Sequence, residues 1–266
     1  MRQSMINRAA LVSAVLLCVA PVAAAQEDRE PWSQADEIWG EAEMAEARDQ
    51  VLASHGDLRT TYLQAERFEL QAFDDEDVLL LDGNAWIGGD INKLWFKTEL
   101  EYLPDEGELE EAEVQALWSR AISPYFDLQL GVRQDFEPRG RTHAVAGVQG
   151  LAPYLFEVDA AAFVSADGDL TSRVETEYEL LLTQRLILQP RAEIELSAQD
   201  IPELETGSGL VSLSAGLRLR YEIKREFAPY IGVEYSRSFG RTANFIEAAG
   251  GETDATALLV GIRAWY

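Results

Sequence analysis

Among 266 residues there are one cysteine, two histidines and three methionines, and 22 lysines and arginines stand against 47 aspartates and glutamates. The basic shortfall gives a net charge of −25 and a pI near 4.3, which excludes nucleic acid as a partner, because phosphate contact needs clustered Lys and Arg. Beyond the N-terminus no run reaches the roughly 18 uninterrupted apolar residues of a membrane helix. Disorder is excluded in turn, since 47% of the chain is hydrophobic. Cys18 lies in the apolar core, Ala9 to Val22, of a segment with Arg2 and Arg8 before it and Ala23, Ala24 and Ala25 after it. This order predicts a secretory signal over residues 1–25. Leu16 and Leu17 stand where a lipid-anchored start needs a small residue before the cysteine. A chain cut after Ala25 has no cysteine, which removes disulfides, Cys-ligated zinc, iron–sulfur clusters and thiol catalysis together. It also loses two arginines, leaving 20 basic residues against 47 acidic ones, a charge of −27.

Residues 26–59 read as an acidic, partly helical periplasmic segment. Ser33 with Asp36 resembles a capping box, and Trp32, Ala35, Trp39, Ala42 and Ala45 recur at helical spacing, so a short amphipathic helix is expected. Gly56 and Asp57 end the pattern. Met44 and His55 are the soft-metal candidates here, and a helix methionine with a solvated histidine is the simpler reading of the pair.

Over residues 60–266 the period changes to two. Phe126, Leu128, Leu130 and Val132 alternate with Asp127, Gln129, Gly131 and Arg133. Val174, Thr176, Tyr178 and Leu180 do so against Arg173, Glu175, Glu177 and Glu179, as Leu188, Ala192, Ile194 and Leu196 do against Gln189, Arg191, Glu193 and Glu195. Strands are placed near 61–73, 78–88, 91–102, 112–121, 124–136, 141–150, 153–164, 171–183, 185–197, 209–223, 229–238 and 255–266. Such runs exceed the roughly 5 or 6 residues of a sandwich strand and match the roughly 9 to 11 of a tilted strand crossing a bilayer. Connections near Gly89, Ser123, Leu151, Gln184 and Phe227 are short. The alternate ones, Asp74–Asp77, Pro104–Glu111, Pro138–Arg141, Ala166–Asp169, Gln199–Gly209 and Gly240–Thr253, carry the turn and acidic residues.

The fold class is therefore all-β, a transmembrane antiparallel up-and-down β-barrel of twelve strands in the cell outer membrane, with both termini toward the periplasm. Ten strands, with the first two runs outside the barrel, would also satisfy the even-number rule. Pro124-Tyr125, Pro153-Tyr154 and Pro229-Tyr230 each follow a short connection, so three tyrosines are expected at one height in an interfacial girdle. Leu258, Val260, Ile262, Ala264 and Tyr266 share one face of the last strand, which ends on an aromatic. Pro190 falls inside strand nine, where a closed barrel has no free edge, and a bulge or a strand boundary is expected there.

With the apolar face toward lipid, the charged face lines the lumen. The ionisable candidates are Glu99, Glu101, Arg133, Glu175, Glu177, Glu179, Arg191, Glu193, Glu195, Arg218 and Arg220. They fit a salt-bridged filling best, and a cation-attracting lumen second. Catalytic signals are weak. His143 reads as a lumen or rim residue with no serine near it in sequence, and Gly88-Gly89-Asp90 and Gly250-Gly251 read as turns, not phosphate cradles. A non-enzymatic protein is expected.

The stretch Asp82-Gly83-Asn84-Ala85-Trp86-Ile87-Gly88-Gly89-Asp90-Ile91-Asn92-Lys93-Leu94-Trp95-Phe96-Lys97 resembles the signature of the copper resistance protein B family. Leu117-Trp118-Ser119-Arg120, the run from Tyr178 to Pro190 and Tyr230-Ile231-Gly232-Val233-Glu234-Tyr235 are similar to it too, so the likeness spans residues 62–266. The resemblance implies an outer-membrane protein of copper resistance and homeostasis that binds or sequesters copper or assists its export. Its partners would be outer-membrane lipid, copper ions and periplasmic copper-handling proteins. Many members carry a Met- and His-rich segment before the barrel, where this chain has Met44 and His55. A narrow cation-selective channel, or a structural barrel without specific copper binding, is the alternative.

Overall fold

The computed structural model describes residues 33–55, 58–73 and 76–266. The predicted signal, residues 1–25, lies outside them, as does Trp32. Along its length the chain divides into two units, residues 1–56 and 57–266.

The described residues of the first unit are helical. A 3-10 turn, Ser33–Ala35, leads into α1, Asp36–Trp39, and then α2, Glu41–His55. Gly40, at φ +94, separates the two helices in a backbone region that favours glycine. The predicted capping box does not form. Ala35 is the N-cap and gives no side-chain cap, while Asp36 accepts from Arg48 at 2.6 Å, twelve residues on. Nor does the predicted stripe run along one helix, since Gly40 parts Trp39 of α1 from Ala42 and Ala45 of α2.

The second unit is a closed antiparallel barrel of twelve strands. They are β1 Thr60–Ala72, β2 Asp77–Gly88, β3 Asn92–Leu103, β4 Glu108–Ala121, β5 Phe126–Glu137 and β6 Arg141–Ala152. Then come β7 Phe156–Ser165, β8 Leu170–Glu177 continued by Leu180–Leu181, β9 Leu186–Ser197, β10 Gly209–Tyr221, β11 Phe227–Ser238 and β12 Asp254–Trp265. Each strand pairs with its sequence neighbours, and β12 closes the ring on β1, where Leu63 and Tyr266 exchange both backbone hydrogen bonds. Closure leaves no unpaired edge, the condition for a sheet to sit in lipid. The two faces are inverted relative to a soluble protein. Along β1, Phe68, Glu69, Leu70 and Gln71 are 41, 1, 42 and 6% exposed, so apolar side chains face out and polar ones are buried in the lumen.

One rim carries connections of three to five residues. On the other rim the connections 73–76, 138–140 and 166–169 are as short as their predicted spans, and one prediction is corrected: β4 begins at Glu108, inside the predicted Pro104–Glu111 loop. Only residues 198–208 and 239–253 form long loops, the latter containing α3, Gly240–Ala249. These two loops clasp each other. Arg241 pairs with Asp200 at 2.9 Å, and the Gly207 N–H donates to Thr242 Oγ1 at 2.9 Å. The Ser208 N–H holds the Asp200 carboxyl below the usual aspartate range, so the clasp is complete above that range and loosens as acid protonates Asp200.

Two local expectations are corrected. Pro190 produces neither a bulge nor a strand end: β9 runs through it in register with β10, Pro190 opposite Leu217. The disruption falls on the neighbour. Leu188 pairs with Leu180 and Arg191 with Glu177 in one continuous register, but between them only Tyr178 N donates to Pro190 O, at 3.1 Å. Proline has no N–H to return that bond, and β8 is split there. The tyrosine girdle loses one member. Tyr125 and Tyr154 are exposed beside short turns, whereas Tyr230 is buried in the lumen, because β11 begins at Phe227 and Pro229 lies within the strand.

Restoring the missing donor should strengthen the wall. Pro190→Val, on the lipid face, is expected to raise barrel stability by about 0.5–1.5 kcal/mol, one net hydrogen bond. The urea midpoint for unfolding from detergent micelles checks this; a midpoint at or below that of the parent chain would contradict the account of the β8 gap.

Candidate functional site

The lumen owes its charge to alternation and to one interruption of it. Between Ala65 opposite Gly83 and Arg67 opposite Asp82, β1 carries an extra residue, Glu66. The bulge turns two consecutive charged residues inward. Glu66 accepts from Asn84 Nδ2 at 3.1 Å, and Arg67 donates to Asp82 at 2.9 Å and to Glu99 at 2.8 Å.

All eleven sequence candidates project into this lumen, gathered into layers. At the closing seam, Arg218 forms a bidentate pair with Glu69, at 3.0 and 2.7 Å, and reaches Glu234 at 2.7 Å. Tyr230 Oη donates to the same Glu69 at 2.8 Å. It can do so because Gly261 lies between them in register: a Cβ there would stand 2.6 Å from the tyrosine ring and 2.7 Å from Glu69 Cβ. At mid-lumen, Arg191 holds Glu175 and Glu193, each at 2.7 Å, and Arg173 spans to Glu99 at 3.0 Å. Arg173 also lies 3.3 Å from Glu195. On the β5 wall, Arg133 pairs with Glu113 at 2.6 Å and Asp135 at 2.5 Å over the ring of Phe163. Toward the short-turn rim, Arg220 and Arg263 share Glu179, at 2.5 and 2.8 Å; Glu177 lies 3.8 Å from Arg263; and Lys97 pairs with Asp159. Glu101 has no ion-pair partner among the described residues. Sequence reasoning passed over Arg67, Glu69, Asp82, Glu113 and Arg263. Glu69 and Gln71 alternate visibly with Phe68 and Leu70, so the signal was there, but the bulge puts Arg67 out of phase with the residues before it.

Two large cavities lie in the interior among the described residues. One of about 520 Å³ opens toward the short-turn rim, walled by Trp86, Trp95, Lys93, Asp127, Gln129 and Glu157 among others. Trp86 and Trp95 stack on its wall with ring centroids 6.0 Å apart, and Tyr62 stacks on Trp86 at the same spacing. The second, about 750 Å³, faces the loop rim and is lined by ten carboxylates and three guanidinium groups. Arg67, Glu99 and Arg173 line both. Such a surplus of carboxylate raises the local concentration of cations.

The chemistry for tight metal binding is missing: among the described residues no cluster of three His, Cys, Asp or Glu side chains is placed to hold an ion. The lumen therefore does not fit copper as a chelated resident group. One constellation invisible in the sequence does appear. Ser165 stands opposite His143 in register, and Asp135 lies 3.4 Å from His143 Nδ1. The Ser165 hydroxyl, however, donates to Asp169 at 3.4 Å and accepts from the Asp169 N–H at 3.0 Å, so it caps a turn instead of bonding to the imidazole.

A family model described as Copper resistance protein B precursor (CopB) matches residues 59–266. The chain is 44% identical over 202 residues to Copper resistance protein B of Escherichia coli, covering 76% of this chain and 68% of that one. It is 42% identical over 213 residues to the Copper resistance protein B homolog of Pseudomonas syringae pv. tomato, covering 80% and 72%. Among solved structures, the NanC porin is similar at a TM-score of 0.51 and 10% identity over 76% of this chain and 98% of that one, a likeness of fold alone.

The seam pair yields a direct test. Arg218→Met leaves Glu69 buried without its counter-charge, held only by Tyr230 and Gln71, and is expected to cost about 3–5 kcal/mol, part of which Glu69→Leu in the same chain should recover. A single-variant cost near that of a surface pair, below about 1 kcal/mol, would show that water reaches the pair.

Proposed function

Since this chain belongs to the copper resistance protein B family, we propose that it serves copper tolerance from the outer membrane as a barrel without catalytic chemistry, holding copper ions loosely in the lumen and assisting their removal. The observation that carries the reading is the loop-rim cavity with ten carboxylates against three guanidinium groups. Copper is the cargo here. Carboxylate oxygens without imidazole or thioether partners suit Cu(II) better than Cu(I), and hold it through charge more than geometry. Binding of this kind is weak and falls with ionic strength.

A second reading, a narrow cation-selective conduit, is favoured by the two cavities that meet at Arg67, Glu99 and Arg173. Both readings use the same acidic surface, and neither needs the N-terminal segment to supply ligands.

Calorimetric titration of the refolded barrel with Cu(II) should give weak heats that fade between low and physiological salt, reduced in a chain carrying Glu101→Gln, Glu111→Gln and Glu193→Gln. Cells lacking the protein should lose copper tolerance, and that same triple variant should restore it incompletely. Tight, salt-insensitive binding would contradict loose electrostatic holding. Unchanged tolerance on deletion would remove the copper role.

A further inference from the structure

Arg173 sits mid-strand on β8, its Cα paired with Ala161 of β7 and Glu195 of β9. Its partners do not stop at the adjoining strand. Beyond Glu195 at 3.3 Å and Glu193 at 3.5 Å on β9, the guanidinium reaches Glu99 of β3 at 3.0 Å, and Glu113 and Glu111 of β4 at 3.5 and 3.7 Å. β3 and β4 stand five and four strands from β8 in a ring of twelve, on the facing wall. Glu99 is at the same time held by Arg67 of β1 at 2.8 Å. A continuous chain of ion pairs, Arg67 to Glu99 to Arg173, thus crosses the lumen, and these three residues are where the two cavities meet.

We infer that Arg173 is the residue that decides which ions pass through this barrel, acting as a tethered cation in a cage of five carboxylates. It fills by covalent attachment the place a mobile cation would otherwise seek, and closes the lumen between two acidic cavities. A permeating cation must displace the guanidinium from Glu99 and is repelled by it until it does. The carboxylates around it disfavour anions on both sides. The inference rests on reading the lumen as a cation route and assigns its point of control. The side chain remains 16% exposed, so its pairs exchange with water rather than lying locked in a dry core.

The test is planar-bilayer recording of the full chain under a KCl gradient, comparing parent, Arg173→Gln and Glu99→Gln barrels, each first checked for folding by its heat-modifiable gel mobility. Arg173→Gln removes the bar and leaves its cage, so conductance should rise severalfold and the reversal potential should move toward that of potassium. Glu99→Gln loosens the bar, whose Glu113 and Glu111 contacts remain, and keeps the guanidinium, so conductance should rise less than in Arg173→Gln while selectivity shifts the opposite way, toward chloride. Two variants moving selectivity in opposite directions cannot be explained by a general loosening of the wall. Equal conductance in all three barrels, no current in either variant, or shifts in the same direction would overturn the role of Arg173. Should copper tolerance be unaffected by deletion while Arg173→Gln still opens the barrel, the copper reading fails and this one stands.

Discussion

A guanidinium inside this barrel has little bulk water to turn to, so each must be matched by carboxylates, and a ring of strands can supply them from positions far apart in the chain. Arg218 and Glu69 are separated by 149 residues and meet with almost no exposure. Arg67, Arg133, Arg173, Arg191 and Arg263 are likewise each shared among two or more acidic side chains. The pairing dictates the rest of the interior. Where arginines are numerous, as at mid-lumen, the interior is filled; where carboxylates exceed them, as toward the loop rim, a large acidic cavity remains. Stability and cation affinity are therefore two outcomes of one ratio, set locally by how many guanidinium groups each level of the barrel contains.

The strand count and the inside-outside assignment were legible because the side-chain period is two and a lipid-facing surface enforces it over ten or more residues. The eleven ionisable candidates followed from that alternation alone. What resisted reading were the places where the phase slips or a face loses its contrast. Glu66 inserts one residue, so Arg67 follows a different parity from Gln64. In β2, Val78 and Leu80 face inward while Leu79 and Leu81 face out, and the apolar run hides which side is which. Pro190 shows a different limit: its missing donor was correctly flagged, but the consequence appears on a neighbouring strand twelve residues away, which no local pattern contains. The cross-lumen partners of Arg173 belong to the same class, since facing walls of a barrel have no short-range signature.

The inventory of donors shapes what the protein can do with a metal. Soft ligands are nearly absent and no described cluster is arranged for chelation, while hard oxygen donors are plentiful and spread over the wall. A surface of that kind gathers ions quickly and lets them go quickly. On the proposed reading it suits traffic or buffering more than storage, and ties the handling of any cation to the ionic strength of its surroundings. Under that proposal, the same acidity together with the fixed guanidinium groups sets which charges the lumen favours, and single side chains can change that balance.

The seam where the first and last strands meet has a consequence of its own. Glu69 comes from β1, Gly261 from β12, Tyr230 from β11 and Arg218 from β10, so the chain's opening strand supplies the acid and its final three supply the space, the hydroxyl and the base. The contacts of Glu69 with Arg218 and Tyr230 do not exist in a sheet that has not yet curled shut. An open sheet would leave Glu69 without its guanidinium and its phenol, and Tyr230 with no carboxylate to reach across the gap at Gly261. Closure therefore brings a polar reward in addition to the backbone bonds of the seam, and an incomplete or misregistered ring would forgo it, so the barrel checks its own circumference from within.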